Sequence, residues 1–129
     1  MAGGAEAVKS GTTLEHEVVG VAEALGLKAE RQVKVGRRIW GAERRIDVVV
    51  KYPETNLSLG IECKYQGVGG SAEEKIPATI EDMRAWPIRG IVVFYGDGFT
   101  KNMEAYLHST GSAMRLEDLE PWLKLYFGL

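Results

Sequence analysis

The run GIVVFYG, residues 90–96, constrains the fold more than any other part of the sequence. It is hydrophobic between its two glycines, and a strand without a polar side is typically buried on both faces of a sheet. Helical patterns before and after it can supply the layers that cover those faces. The chain is therefore predicted to be an α/β domain in which helices flank a central sheet.

The remaining elements form a definite order. TTLEHEVVGVAEALG has helical apolar spacing and ends at Gly26, a typical residue after a helix. Strand-like segments follow at 29–35 and 44–52, and the turn PETN leads into a third strand, GIECKYQ, at 60–66. Three consecutive strands predict an antiparallel meander.

The second half of the chain then crosses back to the sheet. A helical pattern containing Pro77 precedes the buried strand, so that strand should pair in parallel with GIECKYQ in a mixed sheet. Two more helices are predicted at TKNMEAYLHS and LEDLEPWLKLYF, with room for a short strand near Met114. The expected order is αβββαβα and a last helix.

Composition limits the class of protein. At 129 residues the chain suits one domain, predicted over 11–129, behind a flexible tail at 1–10. Apolar runs are far shorter than the ~20 residues of a membrane helix, and no secretory signal is visible, so a cytoplasmic location without membrane contact is expected. One cysteine and two histidines exclude an internal disulfide and a structural zinc.

Charge is unevenly distributed. The net charge of −2 argues against coating nucleic acid by bulk electrostatics. Residues 28–51, here called the basic strip, nevertheless hold eight of the sixteen basic residues and three of the eighteen acids. The strip is either a solvated hairpin surface or a phosphate-facing edge beside Trp40, which could anchor an interface or stack on bases.

Polar residues alternate with apolar ones in GIECKYQ, so Glu62, Lys64 and Gln66 share one face. Asp47 opens the preceding strand, close enough to neighbour Glu62 if the register permits. Two adjacent carboxylates repel, and Mg²⁺ or Mn²⁺ would resolve that conflict, with Lys64 orienting or deprotonating a water. The alternative is an ordinary strand whose polar face meets solvent.

IDVVV and IECKYQ, together with the αβββαβ order, resemble the PD-(D/E)xK nuclease superfamily, which has the restriction-endonuclease-like fold. Small type II restriction endonucleases and Holliday-junction resolvases are similar members. Ile46 stands where the motif has proline. The resemblance implies a Mg²⁺- or Mn²⁺-dependent DNA endonuclease, with the metal on Asp47, Glu62 and the Cys63 carbonyl and with Lys64 serving the water.

Further site residues remain open between two interpretations. Resolvases carry a glutamate four residues after a glycine, which fits Gly11 and Glu15, with Glu17 as the fallback; Thr12 and Glu15 also fit a capping box. Gln66 and Lys75 could contact a phosphate or the metal-bound water, although Lys75 could equally be solvated. The predicted nucleic-acid contacts are Arg37, Arg38, Arg44, Arg45 and Lys75.

Two other classes of function compete with a DNA endonuclease. One is a non-catalytic nucleic-acid-binding module that uses the basic strip and leaves the carboxylates without metal. The other is a protein-interaction domain. If the protein is a nuclease, a homodimer could present two sites to two strands. Its interface could be the aromatic end of the last helix: Trp122, Leu125, Tyr126 and Phe127.

Overall fold

The computed structural model describes residues 8–67 and 75–129. The helices are α1 (Gly11–Ala24), α2 (Ile76–Met83), α3 (Lys101–Ser109) and α4 (Leu119–Phe127). The strands are β1 (Lys28–Arg37), β2 (Glu43–Tyr52), β3 (Leu57–Tyr65), β4 (Arg89–Tyr95) and β5 (Ala113–Arg115). The predicted order of elements is confirmed, including the short strand before the last helix.

The strands form one five-stranded sheet in the order β1-β2-β3-β4-β5. The first three pair antiparallel, whereas β3 with β4 and β4 with β5 pair in parallel. The crossover through α2 explains the change of direction, because a helix returns the chain to the edge where the previous strand began. The predicted mixed sheet is confirmed.

Helices cover both faces of the sheet. The α1–α4 face packs Leu14 and Val18 of α1 and Leu123 of α4 against the strands. The α2–α3 face packs Ile80 of α2 and Leu107 of α3. The central residues of β4 are fully buried between the two layers, as the hydrophobic run predicts: Ile91, Val92, Val93 and Phe94.

Trp86, just after α2, lies directly on the backbone of two neighbouring strands. A Cβ added to Gly60 of β3 or Gly90 of β4 would stand 2.7 Å from the Trp86 ring. Both positions therefore accept only glycine unless the indole moves. This contact fixes the layer that carries α2 against β3, the strand that holds the candidate site.

The start of α1 corrects a sequence interpretation. Ser10 is the N-cap: its Oγ accepts the Thr13 N–H at 3.2 Å, and Thr13 Oγ1 accepts the Ser10 N–H at 2.9 Å. The capping box is thus Ser10 with Thr13, and the predicted box of Thr12 with Glu15 is wrong. Glu15 lies one turn further along, where its carboxylate is available for other partners.

The structure also bears on the predicted tail and on the segment around Pro77. Val8 is buried in the α1–α4 core, so the tail predicted over 1–10 packs against the domain from residue 8 onward; residues 1–7 lie outside the described part. Pro77 stands in the first turn of α2, where a helix tolerates proline. The sequence GVGGS at 67–71 suits a flexible connection, and Ser71 with Glu74 fits a capping box, but these residues fall mainly in the undescribed segment 68–74.

Within residues 8–67 and 75–129, no helix is both long enough and apolar enough to cross a bilayer.

Candidate metal-binding site

The site forms where the paired region of β2 and β3 ends. Their ladder runs from Tyr52–Leu57 to Val48–Ile61, although β3 continues to Tyr65. Beyond this ladder the Asp47 side chain makes the contact with β3: its Oδ2 accepts the Cys63 N–H at 2.9 Å. A side-chain hydrogen bond thus replaces a ladder bond and fixes Asp47 beside Glu62.

An irregularity in β1 and β2 directs the Asp47 side chain to this position. Val48 faces the α1–α4 core and Val49 the α2–α3 core, yet Ile46 also faces the α2–α3 core, so the alternation of β2 slips at Asp47. Opposite it on β1, Gln32 has a left-handed φ of 54°. Asp47 therefore lies between the two faces of the sheet, with its carboxylate towards β3.

Glu62 and Lys64 open into a cavity on the α2–α3 side. Their charged atoms are 3.7 Å apart, and the Glu62 side chain is 15% exposed. The cavity has a volume of about 270 Å³ and is lined by both side chains, by Arg38 and Lys75, and by the α2 residues Ala78, Thr79 and Asp82. It is large enough for an ion and several waters or for a phosphate group.

The electrostatics of the two carboxylates favour a cation. Burial and, after it, the charge of Asp47 together raise the pKa of Glu62 to about 7, against the opposing effects of Lys64 and Arg38. Burial also raises the pKa of Asp47, the Cys63 N–H lowers it, and the charge of Glu15 raises it. Hard carboxylate oxygens held together with insufficient positive charge fit a divalent cation such as Mg²⁺ or Mn²⁺.

Cys63 takes part in this site through its backbone and not through its thiol. Its side chain is buried in the α1–α4 core, and this burial raises the pKa of the thiol well above its ordinary value. The thiol is therefore neutral and inert at ordinary pH. The predicted role of Cys63, a metal contact through its carbonyl, remains a prediction.

Glu15 reaches the site through a hydrogen-bond network. Arg31 donates to Glu15 Oε1 from Nε at 3.1 Å and from Nη2 at 2.9 Å. Gln32 Nε2 donates to the same oxygen at 3.0 Å and to Asp47 Oδ1 at 3.4 Å. Sequence reasoning placed Arg31 in the basic strip and missed Gln32, because the link depends on the slip between β1 and β2.

The Arg31 ion pair bears on the predicted ligand set. Among the described residues, no three histidine, cysteine, aspartate or glutamate side chains are gathered closely enough to hold a metal ion. A preassembled set of Glu15, Asp47 and Glu62 is thus absent from this part of the chain. The arrangement that fits a cation is the pair Asp47 and Glu62, completed by backbone and water oxygens.

Gln66 lies just beyond Lys64 and is buried. Its Nε2 donates to the Gly98 carbonyl at 2.7 Å, and the Gly98 N–H donates back to the Gln66 carbonyl at 2.9 Å. A Cβ at Gly96 or Gly98 would meet the backbone of residues 66–67 within about 2.2 Å. Gln66 therefore ties the 96–98 turn to the end of β3, and its catalytic role stays a prediction.

The predicted nucleic-acid contacts differ in how exposed they are. Arg44 donates to Asp82 from Nε at 3.2 Å and from Nη2 at 3.1 Å. Only 17% of its side chain is exposed against 51% for Arg38, so Arg44 ties β2 to α2. Arg37 donates to the Gly41 carbonyl, and Arg45 pairs with Glu43. Arg38 and Lys75 border the cavity of Glu62 and Lys64.

Comparison with known proteins defines the class. The sequence model of the PD-(D/E)XK nuclease superfamily domain matches residues 6–125. The chain belongs to this superfamily, as IDVVV and IECKYQ indicate. No protein of curated function matches the sequence.

Two solved structures share the fold. The first is a protein of unknown function, AF1548, with 19% identity and a TM-score of 0.52 over 78% of this chain and 54% of that one. The second is protein VC1899 from Vibrio cholerae, with 18% identity and a TM-score of 0.58 over 91% of this chain and 33% of that one. The chain thus spans about half and a third of their lengths.

The raised pKa of Glu62 predicts how stability depends on pH. Glu62 is protonated more readily in the folded protein than in the unfolded chain. The stability that protonated Glu62 contributes is therefore fully present below pH 4.5 and is lost as pH rises through about 7. At pH 8, ionised Glu62 should cost the metal-free fold up to about 3 kcal/mol. Glu62→Gln should therefore raise the melting temperature of metal-free protein at pH 8 by several degrees and leave it unchanged near pH 4.

Thermal denaturation in a chelator across this range checks the expectation. The charged groups that shift the pKa of Glu62 are Asp47, Lys64, Arg38 and Asp82. Glu81→Gln, on the exposed side of α2, removes a similar charge without burial and serves as the control. A Glu62→Gln variant that is no more stable than the parent at pH 8 would show that the carboxylate is adequately compensated.

Glu15 and Arg31 give a second prediction, which separates a metal ligand from a positioning residue. Glu15→Gln and Arg31→Gln each break the same ion pair, so both should lose stability, by roughly 1–3 kcal/mol. A ligand role requires that Glu15→Gln weakens Mn²⁺ binding at least tenfold more than Arg31→Gln. Calorimetric titration of the two variants measures this difference, and equal losses would assign Glu15 to positioning Gln32 and Asp47.

Proposed function

We propose that this protein is a metal-dependent endonuclease that hydrolyses phosphodiester bonds in DNA. The observation that carries the proposal is the cluster of Asp47, Glu62 and Lys64 at the end of the paired region of β2 and β3. Asp47 is fixed there by the Cys63 N–H, Glu62 beside it has a pKa raised to about 7, and Lys64 is its cation on the same strand. Membership of the nuclease superfamily supports the same chemistry.

Asp47 and Glu62 are the residues that would hold Mg²⁺ or Mn²⁺, with the Cys63 carbonyl and Glu15 as further candidates. The bound ion would supply Lewis-acid chemistry, neutralising phosphate charge and lowering the pKa of water. The protein itself keeps Asp47 in place, since its two oxygens accept from Cys63 and Gln32. This restraint prevents the carboxylates from turning apart to relieve their repulsion.

Lys64 would act on the reacting groups directly. Its ammonium lies 3.7 Å from Glu62 at the cavity wall, where it can hold a water and stabilise charge that develops on a phosphate. Arg38 and Lys75 line the same cavity and would bind the flanking phosphates. Of the predicted basic contacts, Arg37 and Arg45 would extend the phosphate surface along the hairpin, while Arg44 holds α2 through Asp82.

A non-catalytic DNA-binding module is the second candidate. The observation that favours it is the ion pair of Arg31 with Glu15, which supplies positive charge to a carboxylate that could otherwise join the metal site. Such a module would use Arg38, Lys75 and the hairpin cations in the same way. The two candidates differ only in whether bound DNA is cut.

The test is a cleavage assay with Mg²⁺ or Mn²⁺ on supercoiled, linear, single-stranded and four-way-junction DNA. A nuclease should cut at least one substrate, and EDTA should stop the reaction. Binding measured in Ca²⁺, which often supports binding without turnover at such sites, identifies the module if no substrate is cut. Protein that neither binds nor cuts would contradict both candidates.

We further propose that two copies associate to present two sites to two strands. The end of α4 offers the surface: Leu125 is largely exposed, and Trp122 stacks on Tyr126 with 5.1 Å between ring centroids. Phe127, which the sequence assigned to this interface, instead belongs to the α1–α4 core. Sedimentation of the protein and of Leu125→Glu tests this association.

A further inference from the structure

The tip of the β1–β2 hairpin carries an exposed tryptophan. Trp40 lies in the short 3₁₀ turn Ile39–Gly41, and 93% of its surface is accessible. The tip is pinned from both sides: the Arg38 N–H donates to the Ala42 carbonyl at 2.7 Å, and Arg37 Nη1 donates to the Gly41 carbonyl at 2.8 Å. The indole is thus presented on a defined turn.

The fold buries almost none of this side chain. Trp40 has φ 68° and ψ 12°, a left-handed conformation that disfavours bulky residues and suits glycine. Burial could compensate for such strain, but the indole is almost entirely in solvent. A strained and exposed aromatic residue is the kind of outlier from which a binding role can be inferred.

The surroundings of Trp40 match a polyanion. Residues 34–45 contain five basic side chains and one acid, Glu43. Arg38, two residues before Trp40, lines the cavity of Glu62 and Lys64 and acts electrostatically on Glu62. Two residues span at most about 7 Å of chain, so the backbone of Trp40 lies within that distance of the backbone of Arg38, whose side chain reaches the cavity.

We propose that Trp40 stacks on an unpaired base of the DNA substrate, while Arg37 and Arg38 hold its phosphates. This proposal rests on the proposed function, and it names the class of substrate: DNA with a single-stranded or splayed segment. In a continuous duplex both faces of each base are covered by neighbouring pairs, so an indole on a fixed turn has no base face to contact. Unpaired bases expose those faces, and stacking on them tolerates any sequence.

Substitution at the tip tests the proposal. The probes are an oligodeoxythymidine and a blunt duplex of equal length, each titrated in Ca²⁺. Trp40→Gly should weaken single-strand binding roughly tenfold, as expected for one lost stacking contact, and duplex binding less than twofold. Trp40→Phe should retain part of the single-strand affinity. Single-strand binding should also quench fluorescence in the wild type, and Trp40→Phe should lose that quenching.

Two controls separate stacking from structural damage. Trp40→Gly should melt at the same temperature as the wild type or higher, because glycine accepts the left-handed backbone. Tyr106→Ala removes another exposed aromatic side chain, on α3, and should leave both affinities unchanged. A Trp40→Gly variant with equal losses on both probes, or with no loss on either, overturns the inference.

The outcome is distinguishable from failure of the proposed function. Protein that binds single strands through Trp40 but cuts nothing in Mg²⁺ or Mn²⁺ keeps the stacking role and loses the nuclease activity. Protein that cuts DNA with the same strand preference in wild type and Trp40→Gly keeps the activity and overturns the stacking role. Protein that binds no DNA overturns both.

Discussion

Replacing Lys64 with alanine is expected to slow DNA cleavage by at least about 100-fold while changing DNA affinity less than about threefold. The cation lies 3.7 Å from Glu62 inside the cavity, where it can act on the reacting phosphate and water. Affinity instead depends on many phosphate contacts, of which Lys64 would be one. Single-turnover cleavage beside a Ca²⁺-supported titration measures the two effects separately.

The paired variant Arg37→Ala with Arg38→Ala should behave in the opposite way. It should weaken binding and flatten its salt dependence by up to two counterions, while Asp47, Glu62 and Lys64 stay in place. Arg44→Ala is unsuitable as a binding probe, since Arg44 holds Asp82 more closely, at 3.1 Å, than Arg38 does, at 3.7 Å, and its loss would destabilise the contact between β2 and α2. If Lys64→Ala lost affinity and cleavage in equal proportion, the lysine would be a phosphate contact rather than a catalytic residue.

Asp47→Asn should have the other large effect, a loss of Mn²⁺ affinity and of cleavage of at least about 100-fold each. Asparagine keeps an oxygen that can accept the Cys63 N–H, so the local structure at the end of the paired region of β2 and β3 should be retained. What it removes is the charge that a hard cation requires. Calorimetric titration with Mn²⁺ and cleavage at saturating metal measure the loss.

Glu81→Gln is the matched control for this variant, because it also converts an acid to an amide but lies exposed on α2. It should bind Mn²⁺ with wild-type affinity. Retention of full metal affinity in Asp47→Asn would remove Asp47 from the site and leave Glu62 without the partner that the proposal assigns to it.

The sequence predicted those parts of the fold that depend on local pattern. Apolar periodicity gave the order of elements, and the continuous hydrophobic run gave β4 its place between two helical layers. The spacing of Asp47, Glu62 and Lys64 indicated that they approach one another, since antiparallel neighbours and alternate residues have fixed distances. Each of these inferences uses contacts that strand geometry alone determines.

What could not be predicted depends on contacts between distant segments. The slip of alternation at Asp47 lies opposite the left-handed backbone of Gln32 on the neighbouring strand, and no sequence pattern around either residue predicts it. The Arg31 partner of Glu15 and the Gly98 partner of Gln66 are separated from them by 16 and 32 positions. Such pairings decide which polar side chains are hydrogen-bonded within the fold and which remain open to a ligand.

The hydrogen bond from the Cys63 N–H to Asp47 holds β3 through a side chain of β2 and not through its backbone. A ladder bond opens only when two backbones separate, whereas this one opens by rotation of a single side chain about its χ1 bond. The Cys63 amide proton therefore exchanges with solvent at a rate that reports how often the Asp47 carboxylate leaves the strand. Motion of the metal-binding group can be followed at an atom that belongs to the sheet.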